Sequence, residues 1–167
     1  PAQPELADLT TPVKALVPDA DHADTGIGST ILAVKPGDGS AREQAASCQK
    51  VLGGWANIAN DYATKRYRAN LINWGMLPLL ISEKELPFAN GDYIFLPDIL
   101  EAVKEKKESF AAYAVRVGKT GDGKTGEGGD SGKMGAPVRF TVRLGDLTDD
   151  EREIIEDGCL INYYRKH

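Results

Sequence analysis

Short β-rich runs alternate with helical segments along this chain, and that alternation constrains its fold more than any other feature. The extended runs are predicted at residues 13–17, 30–34, 55–59, 76–81, 93–96, 109–117 and 138–144. The helices are predicted over about residues 40–52, 60–74 and 97–106, and again after Thr148. Such an alternation is typical of an α/β layer protein. The sequence therefore predicts the α/β class.

The length of 167 residues and the hydrophobic share of 41% predict one packed domain. Residues 1–11 carry prolines and acids without periodicity, so we predict an N-terminal tail or linker followed by a single domain over residues 12–167. Eight glycines fall within residues 118–135, which predicts a flexible loop. Because the first residue is Pro1 and not Met, we expect the chain to be a processed or excised piece of a longer protein.

The charge balance and the cysteine count exclude several classes of protein. Lys and Arg total 20 against 25 Asp and Glu, and the net charge of −5 argues against a nucleic-acid partner. No apolar run approaches the ~20 residues that cross a bilayer. The two cysteines, Cys48 and Cys159, form no CxxC pair and cannot alone ligate an iron–sulfur cluster, which takes three or four thiolates. Two free thiols suit a reducing compartment, so we predict a cytoplasmic location.

Two weak motifs suggest ligands but have simpler explanations. Residues 118–125 match the phosphate-loop pattern GxxxxGK[ST], but the glycines that follow cannot start the helix which that site needs. His22 lies among Asp19, Asp21 and Asp24, where turns stabilised by the aspartates explain the acids better than a metal site.

The basic run Lys65–Arg68, with Tyr62 nearby, allows two interpretations. It could contact RNA through its cations and aromatic rings. It could instead be a solvated helix face with inward-packed aromatic residues, which the acidic net charge favours. Cys48 has no histidine nearby to activate it, and we predict that it is buried.

The candidate site is the glycine turn of residues 37–43. Ser40 and Glu43 fit the capping box S-x-x-E, and Ala41, Ala45, Cys48 and Leu52 follow at helical spacing. Backbone N–H groups at a helix start favour negative charge and would stabilise an alkoxide on Ser40. The Arg42 guanidinium can hold a carboxylate at two points. The turn therefore indicates a carboxylate site suited to proton abstraction, or else simply a capped helix with a surface arginine.

Four blocks of the sequence resemble the aconitase superfamily. Gly39-Ser40-Ala41-Arg42-Glu43 resembles its G-S-S-R-E-x-A motif, and Leu52-Gly53-Gly54-Trp55-Ala56-Asn57-Ile58-Ala59 is similar to its L-G-x-x-A-V-I-A strand. Residues 62–79, which end in Asn70-Leu71-Ile72-Asn73-Trp74-Gly75-Met76-Leu77-Pro78-Leu79, are similar to the stretch ending N-L-x-x-x-G-[IL]-L-P-L. Residues 147–163 are similar to the closing helix and the G-G-x-L-N-Y tail.

The resemblance implies a swivel domain, a three-layer β/β/α unit that closes over an active site. It implies that Ser40 is the general base, and that Arg42, Ala41 and Gly39 contact the substrate. The implied reaction is the reversible dehydration of a hydroxy di- or tricarboxylate. A 4Fe-4S cluster is expected in missing catalytic domains or a large subunit that partners this chain, with no cofactor held by the chain itself.

One departure from the family pattern keeps alternatives open. Ala41 stands where the family has a second serine, which removes a hydroxyl expected to touch the substrate. The alternatives are a non-catalytic RNA- or protein-binding module that keeps the swivel fold, and the small subunit of isopropylmalate isomerase.

Overall fold

A computed structural model describes residues 4–21, 25–82, 86–116 and 136–167, with only the backbone for residues 4–9. The helices are α1 (Pro4–Leu16), α2 (Arg42–Val51), α3 (Lys65–Asn73), α4 (Ile99–Lys104), α5 (Asp149–Glu156) and α6 (Leu160–Lys166). The strands are β1 (Ser29–Ala33), β2 (Gly54–Ala59), β3 (Leu77–Leu80), β4 (Tyr93–Phe95), β5 (Ser109–Val115) and β6 (Val138–Arg143). The predicted glycine-rich loop, its phosphate-loop match and His22 lie outside the described residues.

The strands and helices confirm the α/β class. Hydrogen bonding orders the strands β1-β2-β3-β6-β5-β4. Strands β1, β2 and β3 run parallel, and β6 runs antiparallel to β3, pairing Arg143 with Leu80. Strand β4 is antiparallel to β5. The finer three-layer β/β/α arrangement stays a prediction.

The described residues divide into two compact units. The smaller comprises the described parts of residues 1–26, 84–97 and 111–140, and the rings of Phe88 and Phe140 meet in it at 5.2 Å between centroids. The larger comprises the described parts of residues 27–83, 98–110 and 141–167. The predicted tail at residues 1–11 and single domain over 12–167 stay predictions as domain boundaries.

The larger unit contains the candidate site, and a core of aliphatic side chains supports it. Helix α2 packs against α3 and β2, and α3 packs against β3 and α5. The fully buried side chains include Ile58, Leu71, Ile72, Met76, Leu79 and Val142. Strand β2 is buried along nearly its whole length, which is typical of a parallel strand covered on both faces.

The beginning of the chain differs from the sequence-based expectation. Helix α1 covers most of the segment predicted to be irregular and all but the last residue of the run Val13–Val17, which was wrongly predicted to be extended. Proline suits the first turn of a helix, where its missing N–H would have no partner, and α1 begins at Pro4. The valines suggested a strand, but residue propensity is a weak determinant that its surroundings readily override.

None of the described helices is long and apolar enough to cross a membrane. The longest of them, α1, has 13 residues.

Candidate functional site

The connection from β1 to α2 carries the candidate site, and its first half is anchored to the connection that follows β2. The Val34 carbonyl oxygen accepts hydrogen bonds from the N–H groups of Asn60 (3.2 Å) and Asp61 (3.1 Å). The Ala63 N–H donates to the Pro36 carbonyl oxygen at 2.9 Å. The Lys35 ammonium lies 2.7 Å from the Asp61 carboxylate, and its hydrogen bond lowers the pKa of Asp61. Four contacts therefore hold the start of this connection.

Gly37 is the point at which the turn is clamped. Its carbonyl oxygen accepts from Arg42 Nε at 3.1 Å and from Thr64 Oγ1 at 3.0 Å. Its φ of +96° is a conformation that L side chains rarely adopt, and a Cβ built on it would lie 2.4 Å from Cβ and Cγ of Tyr67. The backbone of the turn therefore lies directly on the Tyr67 side chain, and only glycine fits there.

Tyr67 is held in turn by a buried polar cluster between α2, α3 and β2. Its hydroxyl oxygen accepts from Asn57 Nδ2 at 2.8 Å and from Gln49 Nε2 at 2.9 Å, and Tyr67 and Asn57 are both buried. The neighbouring Tyr62 hydroxyl lies 3.2 Å from the carbonyl oxygens of Asn57 and Leu79. Burial raises the pKa of Tyr62, so it stays a neutral donor. The turn thus rests on a fixed support.

The predicted site residues follow this anchored turn without a break. Gly39, Ser40 and Ala41 are exposed, and a Cβ built on Gly39 would meet nothing within 4 Å. Arg42 is half-buried, because its Nε edge faces the turn: Nη2 lies 3.5 Å from the Asp38 carbonyl oxygen. Its Nη1 has no hydrogen-bond partner among the described residues. The structure therefore places all four residues together, at the start of α2.

The capping box predicted at the start of α2 is wrong. The N-cap is Ala41, and no side chain of the described residues caps this helix. Ser40 lies one position too early to cap, and the Glu43 carboxylate accepts instead from the indole Nε1 of Trp74 at 3.1 Å. The first N–H groups of α2 therefore open next to Ser40 without a capping side chain, which is the arrangement that attracts an anion at a helix start.

The two predicted capping boxes form a matched pair for a stability measurement. At α5 the box is present: Thr148 Oγ1 accepts from the Glu151 N–H at 3.2 Å, and Glu151 Oε2 accepts from the Thr148 N–H at 2.9 Å. We expect Thr148→Ala to lower the free energy of unfolding by about 1 kcal/mol. Ser40→Ala should change it by less than about 0.5 kcal/mol, since Ser40 caps nothing. Denaturant titration measures both, and equal losses would contradict the assignment of the caps.

The inward face of α2 differs from the predicted stripe. Ala41, Ala45, Cys48 and Leu52 are all exposed, and the prediction that Cys48 is buried is wrong. Ala46 is fully buried instead, with Arg42 and Gln49 partly buried beside it. Because α2 is mostly polar and alanine-rich, its sequence specifies no strong apolar face, and packing against α3 selects a different stripe.

The basic run Lys65–Arg68 is a helix face and not an exposed stacking surface. Tyr67 is 3% exposed, which confirms its predicted inward packing and leaves no ring face for a base. Arg68 Nη2 donates to the carbonyl oxygens of Leu144 (3.0 Å) and Asp146 (2.7 Å). The helix predicted from about residue 60 begins later, since Thr64 is its N-cap and Thr64 Oγ1 accepts from the Tyr67 N–H.

Sequence reasoning missed the residues that hold the turn. These residues lie 20 or more positions from Gly37 in the chain: Thr64 and Tyr67 contact it directly, and Asn57 holds the Tyr67 hydroxyl. Only Thr64 carried a local signal, as a threonine that precedes a helical segment. Within the described ranges, no three His, Cys, Asp or Glu side chains group together to hold a metal ion.

Fold and turn together define an α/β protein that presents a serine on an anchored glycine turn, at a helix start without a side-chain cap. Residues 10–84 match the family model of the aconitase C-terminal domain. The match contains the turn and its supporting residues, and it confirms the resemblance to the aconitase superfamily over this segment. The similarity seen at residues 147–163 lies outside the match and stays a prediction. Among curated proteins, none matches the chain.

Proposed function

We propose that this chain is the swivel domain or small subunit of an aconitase-like hydro-lyase. The reaction is the reversible loss of water from a hydroxy di- or tricarboxylate. One observation carries the proposal: Ser40 is exposed on a clamped turn, beside helix N–H groups that none of the described side chains caps. The match to the aconitase C-terminal domain covers the same turn and supports the choice of reaction.

Ser40 acts as the base in this proposal. Its Oγ, as the alkoxide, removes a proton from the carbon next to a substrate carboxylate and becomes a neutral hydroxyl. The electron pair left on that carbon forms the double bond, while the hydroxyl on the neighbouring carbon takes a proton from an acid outside this chain and leaves as water. The N–H groups at the start of α2 stabilise the negative charge on Ser40 before the transfer. Hydration follows the same path in reverse.

Arg42 has two functions in the proposal. Its Nε–H holds the Gly37 carbonyl oxygen and thereby the turn. Its Nη1 binds a substrate carboxylate, which orients the carbon acid toward Ser40. Gly39 and Ala41 contact the substrate through their backbones, because neither side chain offers a polar group. The methyl group of Ala41, where the family has a serine, shapes specificity.

The residues of this chain do not fit an iron–sulfur cluster of their own. Three thiolates are the minimum, and the chain has two cysteines, Cys48 exposed on α2 and Cys159 at the start of α6. The cluster and the acid that helps the hydroxyl leave would belong to a partner subunit or to further domains.

Reconstitution tests the proposed function. The chain is mixed with a candidate cluster-bearing protein, and hydroxy di- and tricarboxylates are assayed for formation of the unsaturated acid by ultraviolet absorbance. We expect turnover only when both proteins are present. The hydroxy acid that is converted shows whether the chain belongs to an aconitase-like enzyme or is the small subunit of isopropylmalate isomerase. A partner that turns over at the same rate without this chain would contradict the proposal.

Substituting Arg42 tests its proposed double function. We expect Arg42→Lys to raise KM at least ~10-fold, because a lysine can neither keep the Nε contact with Gly37 nor offer a second planar donor. Arg66→Lys is the matched control, since Arg66 is an exposed arginine of α3. Steady-state kinetics of the reconstituted enzyme measure both. Equal KM values for the two variants would remove Arg42 from the site.

A further inference from the structure

The larger unit leaves an apolar surface uncovered at the β1 side of its sheet. Seven large apolar side chains, each at least 41% exposed, make up this surface, which we call the β1 surface: Ile27, Ile31, Leu32, Val34, Val51, Leu52 and Trp55. The exposed fraction reaches 81% for Val51 and Leu52. Such a concentration of apolar side chains in a soluble domain marks a site of association.

The structure joins these residues into one region. The Ser29 N–H donates to the Gly53 carbonyl oxygen at 2.8 Å, so the end of α2, with Val51 and Leu52, lies beside the start of β1. The Trp55 ring lies against Gly28, where a built Cβ would be 2.3 Å from its Cδ1. The exposed apolar side chains therefore lie on both faces of the β1 edge, where strand residues alternate in direction, and on the adjoining end of α2.

Strand β1 itself is an unprotected edge. It lies at one end of the sheet and pairs only with β2 among the described strands. Val34 accepts hydrogen bonds on the β2 side, and backbone direction alternates along a strand, so the polar groups of Ile31 and Ala33 face outward. Charged side chains and prolines normally keep edge strands from pairing with other chains. Residues 27–34 contain neither.

We propose that a second copy of this chain covers the β1 surface, with the two β1 strands paired antiparallel about a two-fold axis near Ile31. Residues 27–34 are uncharged, so pairing this segment with its copy brings no like charges together within the paired strands. The exposed area of the seven side chains is on the order of 800 Å², which is one partner's share of a standard interface. Antiparallel pairing places Val34 of each copy beside Trp55 of the other, so both ends of the surface are covered.

Sedimentation velocity of the full chain at about 50 µM tests this proposal, because this concentration detects dimers with micromolar dissociation constants. We expect a species with twice the mass of one chain. Ile31→Lys should abolish it, because two ammonium groups would meet at the axis. Leu52→Lys should raise the dissociation constant of the dimer at least ~10-fold, and since Leu52 is 81% exposed, this variant keeps the fold of the single chain.

The matched control is Ile161→Lys, which adds the same charge to a 64% exposed isoleucine on α6, a helix that packs against α5. It should dimerise as the unaltered chain does. A chain that sediments as a monomer would overturn the proposal. So would a monomer whose β1 amides gain protection from hydrogen exchange only when a cluster-bearing protein is added, which would assign the surface to a different partner. A dimer that Ile161→Lys dissociates but Leu52→Lys leaves intact would also overturn the proposal.

Discussion

Replacing Ser40 with alanine should lower kcat of the reconstituted enzyme by about 10²–10⁴-fold while KM stays within about twofold. The base acts only on the reacting proton, so its loss affects the transition state and not the bound substrate. The Ser40 side chain caps no helix, so the substitution leaves the fold intact. Steady-state kinetics with a thermal unfolding curve for each variant separate loss of chemistry from loss of structure.

The matched control for this substitution is Ser47→Ala. Ser47 lies on the same helix, and its Oγ donates at 3.3 Å to the Gln44 carbonyl oxygen, its only hydrogen-bond partner among the described residues. Its removal should leave kcat unchanged. Full turnover by the Ser40→Ala enzyme would show that Ser40 is not the base. A rise in KM with kcat preserved would give Ser40 a role in binding alone.

Replacing Gly37 with alanine should destabilise the larger unit by about 2–4 kcal/mol, combining backbone strain with overpacking. The strain arises from the φ of +96° and the overpacking from Tyr67, whose Cβ and Cγ would lie 2.4 Å from the new methyl group. Tyr67 cannot move aside easily, because Asn57 and Gln49 hold its hydroxyl group. The turn must therefore shift and carry Ser40 with it, so kcat should fall as well. Denaturant titration and kinetics measure the two effects.

Two other glycines separate the causes. Gly53 has a φ of +84° but open space around it, so Gly53→Ala should cost only the strain, about 1 kcal/mol. Gly39 has open space and no positive φ, so Gly39→Ala should change stability by less than about 0.5 kcal/mol. If Gly37→Ala cost no more than Gly53→Ala, the contact with Tyr67 would not be what restricts this position.

The elements predicted best are those whose signals are local. The capping box of Thr148 and Glu151 needs only four consecutive residues, and α5 begins where that box predicts. The buried strands β2 and β3 follow from short, mostly apolar runs, and Gly53 follows the end of α2 with a positive φ. The elements predicted worst lack a strong pattern. Helix α2 is too polar to specify its own inward face, and the two valines of the run Val13–Val17 favoured a strand where α1 forms.

The candidate site divides in the same way. The residues Gly39–Arg42 were identified from the motif alone, because the motif is continuous in the chain. What holds them was not predictable, since Thr64 and Tyr67 reach Gly37 only after β2 and α3 have packed against α2. The capping role assigned to Ser40 was wrong for a related reason, because the indole of Trp74 binds the Glu43 side chain that the box required.

The order of residues by itself determined the α/β class, most of the strand runs, the motif of residues 39–42 and its resemblance to the aconitase C-terminal domain. Each depends on the spacing of apolar, glycine and capping residues over a few turns of chain, and such short-range preferences act before any tertiary contact forms. The tertiary structure decided which face of α2 is buried, why Gly37 admits no side chain and which strand is left as an open edge. These depend on atoms far apart in sequence, whose contacts are set by close packing of the whole core and cannot be assigned one segment at a time.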